Sequence, residues 1–552
     1  MRKTFCSTLA LTLLLGMAGL GRGDDSAKPY AVISLSSYDR INGDLDVIGK
    51  AIGNPTLPKA LEGFIAATTQ QKGLVGLDKA RPWGAVFAGA SQDQPAYFFL
   101  PVTDLKGLLD ALQGPLGGPA KQGSDGVYEA QSPSGPVFAK QKGSWVFAAH
   151  SAEGLKSTPD DPLPLLGELP KKYSVAAKVT VGNIPPALRE MLLGRFKAGA
   201  AAAKMEGDEG FSPNKLAEKV SLALTTALDE LDEMTLGLVV DATAQKTSLE
   251  LTFVAKDGTK LAKQVAENTD LKTNYAAFHL ADAALALGWV KKLPAEAIAE
   301  NLAALKAFRE RLPAQLEKQK VPEMKQAVDE LLDVVAETLK CGRSDGNVSA
   351  VLDPKAVSLV GAINIVGGDK LDTALHDLAA VAKAKEPDVA KAIKLDVEKA
   401  AGVRFHLISL PIVENRERIV PMVGETLDVA LGIADGALYV AAGRDALATL
   451  KKTIEKSAAD GPKAAAPGSF SLALGSLAKF LVEVAPDEAR PMAMMLSTLL
   501  SQSAGKDHLS ITGTMIPRGT QVRLELEDGV LKAFVTIGQM GAMMGGGRGA
   551  GF

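Results

Sequence analysis

Serine and lysine three residues apart are the first residues in this chain whose types and spacing could perform chemistry. In a Ser-x-x-Lys motif the lysine amine takes the serine proton on the first turn of a helix, as in penicillin-recognising acyl enzymes. The pattern occurs at Ser212/Lys215, Ser476/Lys479 and Ser503/Lys506. The Ser-Asp-Asn and Lys-Thr-Gly elements that accompany this chemistry are missing, as is a Gly-x-Ser-x-Gly nucleophile turn. We therefore expect no serine nucleophile.

Histidines are the next candidates, and the chain has five: His150, His279, His376, His406 and His508. No two of them lie three or four residues apart, so no single helix can present a histidine pair to a metal ion. Neither a His-Glu-x-x-His motif nor an EF-hand loop occurs. We expect structural roles for all five, although a site assembled across the fold stays open.

Clustered carboxylates could serve glycoside hydrolysis or calcium binding. They occur at residues 160–161, 206–209 and 229–233. A glycosidase also needs aromatic platforms, and aromatic residues make up only 5% of the chain. We expect these carboxylates to be solvated, and Trp83, Trp145 and Trp289 to be core residues. The sequence therefore assigns no catalytic, cofactor-binding or metal-binding residue, and it predicts no cofactor.

The composition bounds the remaining function classes. The chain has 552 residues, of which 47% are hydrophobic and 23% charged, so it is too apolar to be disordered and long enough for more than one core. Its 61 basic and 64 acidic side chains leave a net charge of −3, without the basic excess that neutralises phosphates. Nucleic acid is therefore excluded as an expected partner.

The N-terminus has the pattern of an export signal over residues 1–23. Arg2 and Lys3 precede an apolar stretch, residues 9–20, that is too short to span a bilayer, and small residues follow it. Cleavage after Gly23 would remove Cys6 and leave Cys341 as the single thiol, so no intrachain disulfide could form. No later apolar run reaches membrane-spanning length. We expect a periplasmic or extracellular protein without a transmembrane helix in its mature chain.

The body of the chain contains similar segments in the same order. Residues 143–150 match 435–443, each an apolar strand ending in Ala-Ala before a helix start. Further pairs follow: residues 173–179 with 470–475, 234–241 with 508–514, 248–254 with 521–526, and upstream 97–104 with 405–412. Matching order over this length favours gene duplication. The segments alternate between hairpin-like strands and capped helices, without a Gly-rich βαβ turn.

The predicted fold class is α+β, with two diverged repeats, each an antiparallel sheet with packed helices, plus an inserted helical hairpin. The expected domains are a first repeat at 28–272 and a second at 273–540. The second includes the hairpin at 294–340, whose apolar residues recur every three or four positions and are interrupted at Pro313. A Gly/Met-rich tail at 541–552 is expected to be disordered.

Several phrases resemble a family of large exported proteins typical of planctomycete-type bacteria. They are Leu-Asp-Lys-Ala-Arg-Pro-Trp-Gly at 77–84, Phe-Leu-Pro-Val-Thr-Asp at 99–104, Asp-Gly-Val-Tyr at 125–128 and Lys-Gly-Ser-Trp-Val-Phe-Ala-Ala at 142–149. The resemblance covers mainly residues 30–270. It implies export and a repeated α+β build, and it carries no activity, cofactor or site residue.

Together these observations favour a non-catalytic extracytoplasmic protein that binds or scaffolds partners in the cell envelope. The alternatives are a periplasmic carrier or chaperone for an apolar ligand or polypeptide, and a hydrolase whose site escapes motif search. An apolar pocket between sheet and helices would favour the carrier. A buried cluster of converging polar side chains would favour a chemical site instead.

Overall fold

The structure is a computed structural model, and it forms two compact units. Among the residues it describes, the first unit takes the chain up to Lys263 together with Pro517–Gln521, and the second takes Gln264–Ile516 and the chain from Val522 onward. The described residues are 28–88, 97–123, 125–133, 135–191, 193–194, 225–226, 228–413, 416–503 and 505–545. The expected signal peptide, the 206–209 carboxylates and Ser212/Lys215 lie outside these ranges.

The first unit is built on an antiparallel sheet. Its strands are β1 (Pro29–Leu35), β2 (Trp83–Ala88), β3 (Tyr97–Pro101), β4 (Lys121–Gln122), β5 (Tyr128–Ser132), β6 (Gly135–Lys142), β7 (Trp145–Ala149), β8 (Val175–Thr180), β9 (Leu231–Asp241) and β10 (Lys246–Ala255). Its helices include α1 (Tyr38–Ala51), α2 (Leu57–Thr68), α3 (Leu105–Ala111), α4 (Leu163–Leu166) and α5 (Leu169–Lys172). The strand order is β10-β9-β8-β1-β2-β3-β7-β6-β5-β4.

The second unit also has an antiparallel sheet. After α6 (Lys260–Glu267), which crosses the division, its strands are β11 (Lys272–Thr273), β12 (Leu285–Lys292), β13 (Arg343–Asp353), β14 (Ala356–Asn364), β15 (Ile393–Ala400), β16 (Val403–Pro411), β17 (Thr426–Ala434), β18 (Ala437–Gly443), β19 (Lys463–Ala464), β20 (Gly468–Ala473) and β21 (His508–Ile516). β22 (Gly519–Glu527) crosses the other division. The main sheet runs β21-β20-β12-β13-β14-β18-β17-β16-β15.

The helices of the second unit connect these strands, except the last, which follows β22. They are α7 (Ala295–Lys318), α8 (Lys325–Lys340), α9 (Gly368–Lys385), α10 (Pro387–Ala392), α11 (Arg416–Val423), α12 (Ala446–Asp460), α13 (Leu474–Val484), α14 (Arg490–Ser501) and α15 (Asp528–Gly545). The expected mixture of helices with antiparallel sheets is confirmed. No helix in the described ranges is both long enough and apolar enough to cross a membrane.

Each unit has its own apolar core on its own sheet. In the first unit Phe99, Trp145 and Phe147 are buried with Val86 and Leu166, and the Phe99 and Trp145 rings meet edge to face. In the second unit the core joins aromatic side chains to small residues of the sheet and of α12: Tyr275, Phe278, Val360, Val403, Phe405, Ala430, Ala441, Ala446 and Leu450. Burial of these side chains is the main stabilising contribution in both units.

Several sequence-based expectations need correction. The helix α7 runs through Pro313 without ending there, because packing against α8 through Leu312 and Leu316 outweighs the lost backbone hydrogen bond. Helices α7 and α8 lie between the first and second long strands of their unit. The first unit has α1 and α2 between its own first and second long strands.

The predicted pairing of segment 97–104 with 405–412 does not follow the strand orders of the two sheets. Segment 97–104 contains β3, whose place in the second sheet belongs to β14, whereas β16 holds the place of β5. The division between units falls inside α6 rather than after residue 272. The last helix continues to Gly545, into the segment expected to be disordered.

Candidate metal centre

A cluster of two histidines and two aspartates lies in the second unit, where α9 covers the hairpin of β15 and β16. Each of Asp372, His376, Asp396 and His406 offers a ligand atom, and these atoms all lie within 4.8 Å of one another. Imidazole nitrogen and carboxylate oxygen are donors that suit divalent transition metals. The elements that carry these residues explain how they meet.

Helix α9 supplies Asp372 and His376. Residues four apart lie on one face of a helix, so both side chains point toward the same part of the sheet. The start of α9 is held close to the sheet at Gly368, where a Cβ would lie 2.1 Å from the carbonyl oxygen of Ala434. Only glycine permits this approach, which brings the first turns of the helix over β16.

Strand β15 supplies Asp396 through a bulge. The ladder pairs Lys394 with Leu407 and then Glu398 with Phe405, so the register shifts between them. Asp396 lies in this shift with a φ of +50°, a left-handed conformation that few residues other than glycine, asparagine and aspartate tolerate. Bulges redirect side chains, and this one brings the Asp396 carboxylate toward the helix.

Strand β16 supplies His406. Its neighbour Phe405 belongs to the apolar core, and because side chains alternate along a strand, His406 faces the opposite side, under α9. His406 is 0% exposed. Burial lowers the pKa of its imidazole, although Asp372 and Asp396 oppose that shift.

Two distances define the cluster. His376 Nε2 lies 3.0 Å from Asp396 Oδ2, and His406 Nε2 lies 3.1 Å from Asp372 Oδ1. The second pair is buried, and neither atom has a hydrogen-bond partner among the described residues, because the two are close without being aligned. Buried polar atoms are rarely left in this state. Bonds of about 2.1 Å to a metal would place its ligand atoms about 3.0 Å apart in octahedral geometry and about 3.4 Å apart in tetrahedral geometry.

Arg404 supplies positive charge beside the cluster. Its Nη2 donates to Asp369 Oδ1 at 2.7 Å, and its Nε lies 3.4 Å from Asp372 Oδ2. The hydrogen bond to Asp369 raises the pKa of the guanidinium against the effect of burial, and Asp372 adds to that rise. Arg404 therefore offsets part of the negative charge of the cluster.

A second cluster in the same unit joins Asp507, His508 and Glu527, but its carboxylates already have hydrogen-bond donors. Asp507 Oδ2 accepts the backbone N–H of Gly475 at the start of α13, and Glu527 Oε2 accepts the N–H of His508 at 2.9 Å. His508 Nδ1 lies 3.2 Å from a carboxylate oxygen of each acidic residue. These contacts connect β21, β22 and α13, so the cluster has a sufficient structural role.

The described residues of the motifs that suggested chemistry are not members of either cluster. Ser476 and Lys479 lie within α13, and the carbonyl of Ser503 accepts the N–H of Lys506 in the turn after α14. Asp161 accepts the N–H of Leu163 at the start of α4. Asp229 pairs with Arg189, and Glu230 accepts the N–H of Leu261. The described carboxylates of these runs therefore serve local structure.

The sequence did contain a signal for the cluster. The spacing of the histidines alone does not reveal the cluster, because the pair on the helix is Asp372 and His376, four residues apart. The two remaining members lie ten residues apart on a hairpin, and the Asp396 N–H donates to His406 Nδ1 at 3.2 Å across it. Comparisons with protein-family models, curated proteins and solved structures found no match.

Proposed function

We propose that the second unit binds a divalent transition-metal ion between α9 and the β15–β16 hairpin. The observation that carries the proposal is the convergence of Asp372, His376 and Asp396, whose ligand atoms lie within 4.8 Å of one another next to the buried ring of His406. Asp372 Oδ1 has no aligned hydrogen-bond partner among the described residues, and a bound cation would offset the negative charge that the two aspartates bring together. His376 and Asp396 extend the cluster toward solvent.

The donor set favours zinc, cobalt, nickel, iron or manganese over calcium and magnesium, which prefer oxygen ligands alone. The protein should bind one such ion in this unit. Within the envelope role expected from the sequence, the ion would stabilise the position of α9 on the sheet and so the surface offered to a partner.

Isothermal titration of the full chain with Zn²⁺ and Co²⁺ tests the proposal. The titrations use a Cys341→Ser background, because the exposed thiol of Cys341 could bind the same ions. His376→Ala should weaken binding at least roughly tenfold. His279→Ala is the matched control, an exposed histidine of the same unit outside the cluster, and it should leave the affinity unchanged.

The variant His508→Ala tests whether the ion binds at the second cluster instead. If that variant, rather than His376→Ala, removes binding, the ion belongs to Asp507 and Glu527, and the proposal for α9 fails. Equal affinity of His376→Ala and the parent protein would contradict it as well.

Export and duplication remain part of the proposed role. Export rests on the pattern of residues 1–23, and the mass of the chain recovered from an envelope fraction should place its first residue at Asp24. A chain that retains residues 1–23 would contradict it.

Duplication is supported by the strand orders of the two units. In homologous chains, aligned halves should keep β7 with β18 and β8 with β20, and a consistent shift by one strand would contradict it.

A second candidate function, the carrier of an apolar ligand, is favoured by one pocket in the first unit. This pocket, about 420 Å³ in volume, lies beside the start of α1 and is lined by Pro82, Leu163 and Pro170, with Ser36 among its polar residues. Ser36 Oγ is buried and has no hydrogen-bond partner among the described residues. The volume falls within the range of small-ligand sites.

Titration with the fluorescent probe anilinonaphthalene sulfonate tests this carrier role. Leu163→Glu would place a charge in the pocket and should abolish binding of the probe. The matched control is Val75→Glu, an exposed apolar position of the same unit that does not line the pocket. Unchanged binding by Leu163→Glu would rule the pocket out as the probe's site.

A further inference from the structure

We infer that His406 is a positioning residue for the proposed ion rather than one of its ligands, so that three side chains hold the ion and leave a coordination position open to solvent. The three ligands are Asp372, His376 and Asp396. The inference rests on the proposed metal binding and specifies its coordination. It separates a closed structural site, which has four protein ligands, from an open one.

The first step is the position of the proton on the His406 ring. A backbone N–H can only donate, and the N–H of Asp396 points at His406 Nδ1 from 3.2 Å. Nδ1 must therefore be the ring nitrogen with the lone pair. In a neutral imidazole the other nitrogen then carries the hydrogen, so Nε2 is protonated. A metal needs a lone pair at Nε2, so ligation by His406 would require the Asp396 contact to break.

The second step is what the Nε2 proton does. Nε2 lies 3.1 Å from Asp372 Oδ1, and no other hydrogen-bond partner for either atom occurs among the described residues. A small rotation of the carboxylate would align the two. Carboxylates that ligate metals are commonly held by hydrogen-bond donors of this kind. His406 on one side and Arg404 on the other would then fix the orientation of Asp372.

The third step is exposure. The His376 and Asp396 side chains are 43% and 54% exposed, whereas Asp372 is 16% exposed. An ion held by these three would have the buried aspartate on one side and water on the other. Three protein ligands with a water-filled position is the arrangement of exchangeable and catalytic sites. We expect that position to accept a small carboxylate in place of water.

The backbone conformation of Asp396 affects both the positioning role of His406 and the ligand role of the Asp396 carboxylate. Its N–H sets the His406 tautomer and its carboxylate faces His376, and both depend on the left-handed φ within the bulge. Strained conformations of this kind persist where the surroundings require them, often at functional sites. The bulge therefore places one residue in contact with both histidines.

X-ray absorption of the Co²⁺ form of the full chain, in the Cys341→Ser background, tests the inference. We expect one imidazole in the coordination sphere, lost in His376→Ala and kept in His406→Gln. His406→Gln should weaken Co²⁺ binding by about 10- to 100-fold, the usual effect of losing an outer hydrogen bond, with the same ligand count. Addition of acetate should change the visible spectrum of the bound Co²⁺.

Other outcomes separate this inference from the proposed function. Two imidazoles in the parent protein, or a spectrum that does not respond to acetate, would overturn the open three-ligand site while metal binding stands. Absence of Co²⁺ binding would overturn both. The measurement on the parent protein decides the question even if His406→Gln fails to fold.

Discussion

Helices α3 and α9 hold the same place in the strand order of their units, and they meet their sheets through opposite chemistry. In the first unit α3 buries Leu105 and Leu108 against the sheet residues Ala139 and Val146, an entirely apolar contact. In the second unit α9 places Asp372 over the buried imidazole of His406. Each helix follows the third strand of its unit and precedes the fourth, if the two-residue β11 is left out of the count.

The difference shows what the polar contact costs. Apolar packing at such a place stabilises by about 1.5–3 kcal/mol for each large side chain buried, whereas a buried polar atom without a partner costs about 1–3 kcal/mol. The polar contact of α9 departs from the apolar packing that α3 shows at the same place, and such departures favour a function at that position. The comparison therefore points to α9 and not to α3.

The largest expected effect concerns the apolar contact of α3 with its sheet in the first unit. Leu108→Ala should destabilise the first unit by about 2–5 kcal/mol, because it removes a fully buried side chain and leaves a cavity. Denaturant unfolding followed by tryptophan fluorescence in a Trp289→Phe background reports the first unit, since only Trp83 and Trp145 remain. A loss below about 1 kcal/mol would mean that α3 is not packed as described.

Metal binding should stabilise only the second unit, which contains the polar contact of α9. At a free Zn²⁺ concentration of 100 times the dissociation constant, the second unit should gain about 2.7 kcal/mol. Hydrogen exchange at the amides of β16 measures this gain, and amides of β7 in the first unit serve as the internal control. The protection should disappear on chelation, and equal protection of β7 and β16 would show that the ion does not act through the cluster.

Replacing His406 with an apolar residue tests the contribution of the polar contact beneath α9. His406→Leu, close in volume, removes the acceptor of the Asp396 N–H and the polar neighbour of Asp372 Oδ1, and should lower the stability of the metal-free protein by about 1–3 kcal/mol. The same variant should bind Zn²⁺ more weakly. The midpoint of thermal unfolding without metal measures the first effect. Unchanged or higher stability would show that the Asp396–His406 hydrogen bond contributes little to the metal-free fold.

Local sequence patterns predicted the elements that carry the site better than the site itself. The three- and four-residue spacing of apolar residues predicted α7 and α8 within residues 294–340, and the matched strand ending in Ala-Ala at 435–443 corresponds to β18. The cluster depends on what sequence does not display, namely a bulge between Lys394 and Glu398 and the approach of α9 at Gly368. Only the spacing of Asp372 and His376 was visible beforehand.

The smallest expected effect concerns the backbone at Asp396. Asp396→Gly relieves the left-handed conformation and should raise metal-free stability by a few tenths to about 1 kcal/mol, while removing a metal ligand. Ala401→Gly is the matched control, because Ala401 has a φ of +51° in the turn of the same hairpin and no place in the cluster. It should stabilise to a similar extent and leave Zn²⁺ affinity unchanged. Thermal unfolding with and without Zn²⁺ separates the two variants. If Asp396→Gly kept the affinity, the bulge would be a feature of the hairpin alone, and the contrast between α3 and α9 would lose its functional meaning.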